Sequence, residues 1–155
     1  MDEEKQTQRS FNARELHRRL FGEVWSWAGS FRRTGKNIGI DPLHISVELR
    51  VLLDDMQYWI DHETYAPYEA VMRFHHRLVA IHLFANGNGR HARIIADALL
   101  SKLYNLPAID WAGGYDLGSM NDRRKQYIHA LRQADRGDYQ ALFEFAGIRN
   151  DAQGE

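Results

Sequence analysis

A chain of 155 residues is one domain by length, and at that size roughly two thirds of the unfolded surface can be buried in a core. With no cysteine it has no disulfides and no thiolate metal sites, and a net charge of −1 carries no global signature of a nucleic-acid or membrane-binding surface. The basic side chains are skewed, sixteen arginines against four lysines, toward the type that grips phosphate and carboxylate through paired hydrogen bonds.

Residues 1–10 are polar and mixed in charge, and are expected to be disordered and to hold no signal peptide. No apolar run approaches the ~20 residues of a membrane span, so a cytoplasmic protein is expected, with secretion or translocation as an effector left open. One folded domain is read over 11–148, followed by a tail over 149–155. Asn12 with Glu15 three residues later reads as a capping box, and Leu16, Leu20, Phe21, Val24 and Ala28 give a first helix its apolar face, closed at Gly29. Trp25 and Trp27 are placed around its end. From Phe31 to Pro42 the helical period disappears, with Gly35 and Gly39 among Thr34, Ile38 and Ile40, which predicts a short β-hairpin or an extended flap.

The helical period returns from Leu43, with Ile45, Leu49, Leu52, Leu53, Met56, Trp59 and Ile60 on one stripe. A polar link over 61–67 follows, and Pro67 suits a helix first turn. The next helix turns Val71, Phe74, Leu78 and Ile81 inward and delivers His82 at its far end. After a short turn, Ile94, Ile95, Ala98, Leu99 and Leu103 form the apolar face of another helix. Leu106 to Met120 reads as a loop containing Pro107 and Gly113-Gly114, with Trp111 and Tyr115 either packing beneath a bound nucleotide or closing the core. Two further helices are expected, one from about Asp122 to Ala134 with Tyr127, Leu131 and Ala134 on one side, and one carrying Tyr139, Leu142, Phe143 and Ala146. The fold class is all-α, a compact helical bundle with one short β-hairpin.

The chemistry is concentrated in His82-Leu-Phe-Ala-Asn-Gly-Asn-Gly-Arg-His-Ala-Arg93. Gly87 and Gly89 flank Asn88, and a glycine-bracketed turn lets several N–H groups converge on one anion. The turn opens a helix, whose partial positive end favours the same anion. Arg90 and Arg93 share a face three residues apart, so both can reach successive phosphates of a bound polyphosphate. His82 is a candidate proton acceptor. The stretch is not a P-loop, because no strand leads in and no Gly-Lys-Ser/Thr follows.

His75, His76, His82 and His91 could suggest a metal cluster, but the spacing signatures of histidine metal sites are missing. His75, His76 and His91 are read as packing or surface groups.

The stretch resembles the Fic motif, His-x-Phe-x-Asp/Glu-Gly-Asn-Gly-Arg-x-x-Arg, at His82, Phe84, Gly87, Asn88, Gly89, Arg90 and Arg93. Trp27-Ala-Gly-Ser-Phe-Arg32 and Asp135-Arg-Gly-Asp138 are also similar to Fic segments, so the likeness spans roughly residues 14–148. With Asn86 included, the motif is most like that of the mobile mystery protein B branch. The resemblance implies a Fic-type bundle whose flap lies over the site, and a protein adenylyltransferase that moves AMP from ATP to a Ser, Thr or Tyr hydroxyl of a target protein. His82 would take the hydroxyl proton. Main-chain N–H groups at Gly87, Asn88 and Gly89, the Asn88 amide, Arg90 and Arg93 would hold the phosphates, while Phe84 would anchor the loop in the core. Lys36, Asn37 and Ile38 of the flap would lie nearest the target side chain, held by strand addition. Tyr127 and Asp135 match nucleotide-pocket positions, with core packing and helix capping as their alternatives.

Two departures matter. The family usually has Asp or Glu where Asn86 stands, as a ligand for Mg²⁺; an amide oxygen brings no charge, so weak Mg²⁺ binding at Asn86 is expected. Leu83 replaces the proline common at its position. An inhibitory helix with Ser/Thr-x-x-x-Glu is frequent in the family, but no Ser or Thr here has Glu four residues later. An antitoxin chain, a lost upstream helix or another route would then supply control, as in a toxin-antitoxin pair. Three alternatives remain: transfer of another phosphate-linked group, a non-catalytic nucleotide-binding or interaction module, and an all-α metal phosphohydrolase. Gly89 argues against the Doc pattern, in which the second glycine is replaced.

Overall fold

A computed structural model describes residues 14, 15, 18, 19, 22, 23, 26, 28–35, 39–111 and 122–148. Within them, regular structure consists of a 3-10 turn at Pro42–His44 and five α-helices: α1 (Ile45–Asp61), α2 (Pro67–Ile81), α3 (Asn88–Tyr104), α4 (Asp122–Asp135) and α5 (Gln140–Phe145). Residues 14, 15, 18 and 19 are also helical, within the first helix expected from the sequence. The expected disordered N terminus, C-terminal tail, Trp25, Trp27, Gly113-Gly114 and Tyr115 lie outside the described residues.

The Asp41 carboxylate accepts the Leu43 N–H at 3.0 Å, and Pro42 fixes the first backbone angle, so the chain enters α1 through a capped turn. Ile45, Leu49, Leu52 and Met56 then bury one stripe of α1, at the spacing that periodicity predicted. Helix α2 is the hub: α1, α3, α4 and α5 all pack on it. Eight of its fifteen residues are therefore buried, a wider arc than Val71, Phe74, Leu78 and Ile81 alone.

Helix α3 forms over the apolar positions expected from their helical spacing. The inward positions are Asn88, His91, Ala92, Ala96 and Leu100, whereas Ile94, Ile95, Ala98 and Leu99 are only half-buried and Leu103 is 48% exposed. Ala92 and Ala96 let α3 approach α2 closely. The larger residues instead line an apolar groove of about 520 Å³, at which Glu15 and Arg19 also lie. Ile95 and Leu99 also pack against the edge of the core, while the small Ala92 and Ala96 are the fully buried apolar positions of the first turns.

Helices α4 and α5 pair with each other through Ala130, Ala134, Leu142, Phe143 and Phe145. Arg73 of α2 ties this pair in, with its guanidinium 4.4 Å from the Tyr65 ring centre and 4.3 Å from that of Tyr139. Trp111 is buried, as expected for a core role, and its indole N–H donates to Asp97 at 3.1 Å.

No strand occurs among the described residues, so the fold is helical there and the expected β-hairpin is not seen. At the described ends of the 31–42 segment, main-chain bonding runs to the end of α2 and the turn after it: the Arg32 N–H donates to the Leu83 carbonyl at 2.9 Å, and the Ile40 N–H to that of Ile81 at 3.5 Å. Lys36, Asn37 and Ile38 lie outside the described residues. No helix of the described residues is long and apolar enough to cross a membrane.

Candidate active site

The site is built where α2 ends and α3 begins. His82 caps α2 in the left-handed region, at φ 58° and ψ 69°, which is uncommon for a residue with a side chain. Its N–H still donates to the Leu78 carbonyl at 3.3 Å, and the residue is half-buried. Leu83 and Phe84 turn inward immediately afterwards, 1% and 0% exposed, so both sides of the histidine are anchored in packed structure. Leu83 thus fills the core. The Phe84 ring packs against Phe31 and edge-on against His91, at 5.8 and 5.0 Å between centres.

The five residues from Phe84 to Asn88 form a loop closed by one side chain. The buried Asn88 amide accepts the Phe84 N–H at 2.9 Å and donates to the Phe84 carbonyl at 2.7 Å. Its side chain thus braces the loop, and a role toward phosphate falls to its main-chain N–H instead. Gly87 takes φ 77° at the start of α3, a conformation glycine adopts without strain. The helix has no side-chain cap, so the first-turn N–H groups point at the place where an anion would sit.

Arg93 folds back toward that turn. Its Nη1 lies 3.2 Å from where a Cβ on Gly89 would stand, which explains why the second glycine matters: a side chain there would crowd the guanidinium. Below Arg93 is the Tyr127 ring, with its centre 5.6 Å from the guanidinium carbon. Arg90 is exposed at the helix start.

Tyr127 is 5% exposed, and its hydroxyl lies 2.7 Å from His75 Nε2. Burial pushes the tyrosine up to about 12 and holds His75 down at about 3, so both are neutral across the working range. Tyr127 is therefore core, as the alternative reading had it, and it supports Arg93 from beneath. Asp135 joins His76 Nε2 at 2.8 Å, six residues and about 9 Å along the helix before His82. Before helix α5, whose N-cap residue Tyr139 makes no side-chain cap, the Asp138 carboxylate accepts the Gln140 N–H at 3.1 Å.

Asn86 is exposed, and its side-chain oxygen accepts the Gly87 N–H at 2.8 Å. That oxygen can serve a divalent cation only as one neutral ligand, with phosphate oxygens completing the shell. No cluster of three or more His, Cys, Asp or Glu able to hold a metal occurs among the described residues. His75, His76 and His91 are buried at 0%, 7% and 1% exposure.

Residues 10–100 match the Fic/DOC family. The chain belongs to that family. It is 31% identical over 135 residues to the protein adenylyltransferase Fic of Drosophila grimshawi and 30% identical to that of Drosophila melanogaster, covering 84% of this chain in each case. This Fic chain spans about a quarter of the length of those relatives, 26% of each. Its fold is that of Fic-1 (residues 134–508) from C. elegans, with a TM-score of 0.72, 24% identity, and coverage of 88% of this chain and 39% of that one. The BepC protein of Bartonella tribocorum, solved with bound AMPPNP, superposes with a TM-score of 0.66 at 18% identity, over 90% of this chain and 73% of its own.

The structure sets His82, the loop and both arginines at the junction of α2 and α3. Sequence alone assigns no role to Arg32, which reaches the His82 carbonyl, or to His75 beneath Tyr127. Neither was visible beforehand, since an arginine beside a phenylalanine in a non-helical segment carries no sign of burial.

Proposed function

We propose that this Fic domain is a protein adenylyltransferase, transferring AMP from ATP to a Ser, Thr or Tyr hydroxyl of a target protein. The observation that carries this reading is the joint placement of His82 at the end of α2 and an uncapped helix start flanked by Arg90 and Arg93. The names of the Drosophila relatives and the AMPPNP bound by BepC point to the same chemistry.

In this mechanism the target hydroxyl gives its proton to the neutral His82 imidazole as its oxygen attacks the α-phosphorus, and pyrophosphate leaves. The N–H groups of Asn88 and Gly89, joined by that of Gly87 once the Asn86 amide releases it, hold non-bridging phosphate oxygens, and Arg90 and Arg93 neutralise the departing β- and γ-phosphates. Mg²⁺ would share that charge, held weakly by the Asn86 amide oxygen. Lys36, Asn37 and Ile38 belong to a flap that seats an extended target segment by strand pairing. The domain is taken as 11–148, it works in the cytoplasm, and it is restrained by an antitoxin chain, by an inhibitory helix lying upstream of this sequence, or by another route.

The test is incubation of the purified protein with labelled ATP, Mg²⁺ and lysate, comparing wild type with His82→Ala. Protein labelled by wild type alone, with a mass increase of one AMP, is the expected outcome. A phosphate-sized increase would assign phosphorylation instead, and phosphate release without protein labelling would assign a hydrolase.

A further inference from the structure

Among the described residues, Arg32 is the only arginine, lysine or carboxylate that is buried, at 5% exposure. No carboxylate among the described residues pairs with it; its guanidinium is satisfied by main-chain carbonyls. Nε donates to His82 O at 2.5 Å, Nη2 to Ile81 O at 3.2 Å and also to Ile40 O, and Nη1 to Thr34 O at 3.2 Å. Two of these acceptors are the last carbonyls of α2, where the helix end is partially negative, so a cation is compensated there without a counter-ion.

The consequence lies in the conformation of His82. The direction of a residue's carbonyl sets its ψ angle, and the His82 carbonyl is the one gripped by Arg32 Nε. The same side chain holds Thr34 and Ile40, on either side of the segment assigned to the flap. Gly39 closes the fit: a Cβ there would stand 2.6 Å from His82 Cβ and 2.8 Å from Arg32 Nη2.

We infer that Arg32 is the positioning residue of the site, locking His82 in its left-handed conformation and holding Thr34 and Ile40 beside it with one guanidinium. It touches neither substrate nor nucleotide. The phosphate loop is braced separately by Asn88, so Arg32 governs the aim of the imidazole and leaves the cradle alone. The inference rests on the transferase reading for its rate effect, though not for its effect on His82.

The experiment uses Arg32→Met, Arg32→Lys and Gly39→Ala in the full chain. Three quantities are read: labelling rate of lysate at saturating ATP, affinity for AMPPNP by calorimetry, and the His82 imidazole resonances in histidine-labelled protein, assigned with His82→Ala. Arg32→Met is expected to lower the rate about a hundredfold, the scale of a misaimed catalytic group. AMPPNP affinity should stay within threefold, His82 should shift while His75 and His91 do not, and added guanidinium should restore at least tenfold of the rate. If Arg32→Met does not fold, Arg32→Lys and Gly39→Ala carry the same expectation for rate, AMPPNP affinity and histidine resonances, without rescue by guanidinium. An unchanged rate, or a joint loss of rate and AMPPNP affinity with every histidine resonance disturbed, overturns the inference. Should wild type itself label nothing, the transferase reading falls, and the His82 resonances alone decide for or against Arg32.

Discussion

His75 Nε2 and the Tyr127 hydroxyl lie 2.7 Å apart in the core, and the Arg93 guanidinium carbon lies 5.6 Å from the centre of the same Tyr127 ring. One buried polar contact between α2 and α4 thus supports an arginine that belongs to α3. Tyr127→Phe keeps the ring and leaves a buried His75 nitrogen without its partner, so a loss of about 1–3 kcal/mol in urea denaturation is expected. Because the ring beneath Arg93 remains, AMPPNP affinity should change by less than threefold. Tyr127→Ala removes the ring as well, and should cost about 3–5 kcal/mol and weaken nucleotide binding.

The same pair sets an acid limit. Burial holds His75 at about 3 against an ordinary 6.5, so between those values the unfolded chain carries a proton that the folded chain refuses. Stability contributed by the neutral imidazole is complete above pH 6.5 and falls as the pH drops toward 3, by roughly 1 kcal/mol per unit. Chemical denaturation at pH 7.5, 6, 5 and 4 should show this slope. In His75→Asn the slope should be shallower by about one proton.

Asn88 offers a third test, because one amide satisfies both main-chain groups of Phe84. Asn88→Ala should lose roughly 1–3 kcal/mol for each group left unpaired, together with nucleotide affinity, as the loop opens. Asn88→Asp retains the acceptor for the Phe84 N–H and should be the more stable of the two. It should nonetheless bind AMPPNP more weakly than wild type, since the Phe84 carbonyl loses its donor and a buried carboxylate then sits under the loop.

Substituting the exposed Asn86 by Asp adds a charged oxygen where the family usually has one. Titrating Mg²⁺ against the labelling rate should show half-maximal activity at a lower concentration in Asn86→Asp than in wild type. An unchanged Mg²⁺ dependence would mean that this position does not bind the ion.

Helix positions were legible wherever large apolar residues did the packing, as at Ile45, Leu49, Leu52 and Met56, because burial and hydrophobicity then coincide. They separated on α3, where Ala92 and Ala96 face the core and Ile94 and Ile95 line a groove. The motif residues were legible because each type carries its chemistry locally: glycine for a turn, arginine for phosphate, histidine for a proton. Arg32, fifty residues before His82, was not, since its role comes entirely from chain segments that only folding brings together. Asn88 was legible as a loop residue, yet whether its amide faced a ligand or its own backbone depended on geometry that composition does not hold.

The central claim is that His82 removes a proton from a protein hydroxyl while the following loop holds ATP. Intact-mass analysis of lysate proteins after incubation with wild type or His82→Ala tests it most directly. The account predicts proteins heavier by one AMP with wild type and none with His82→Ala, although both bind AMPPNP equally well. Equal labelling by the two forms, or nucleotide binding lost together with His82, would contradict it.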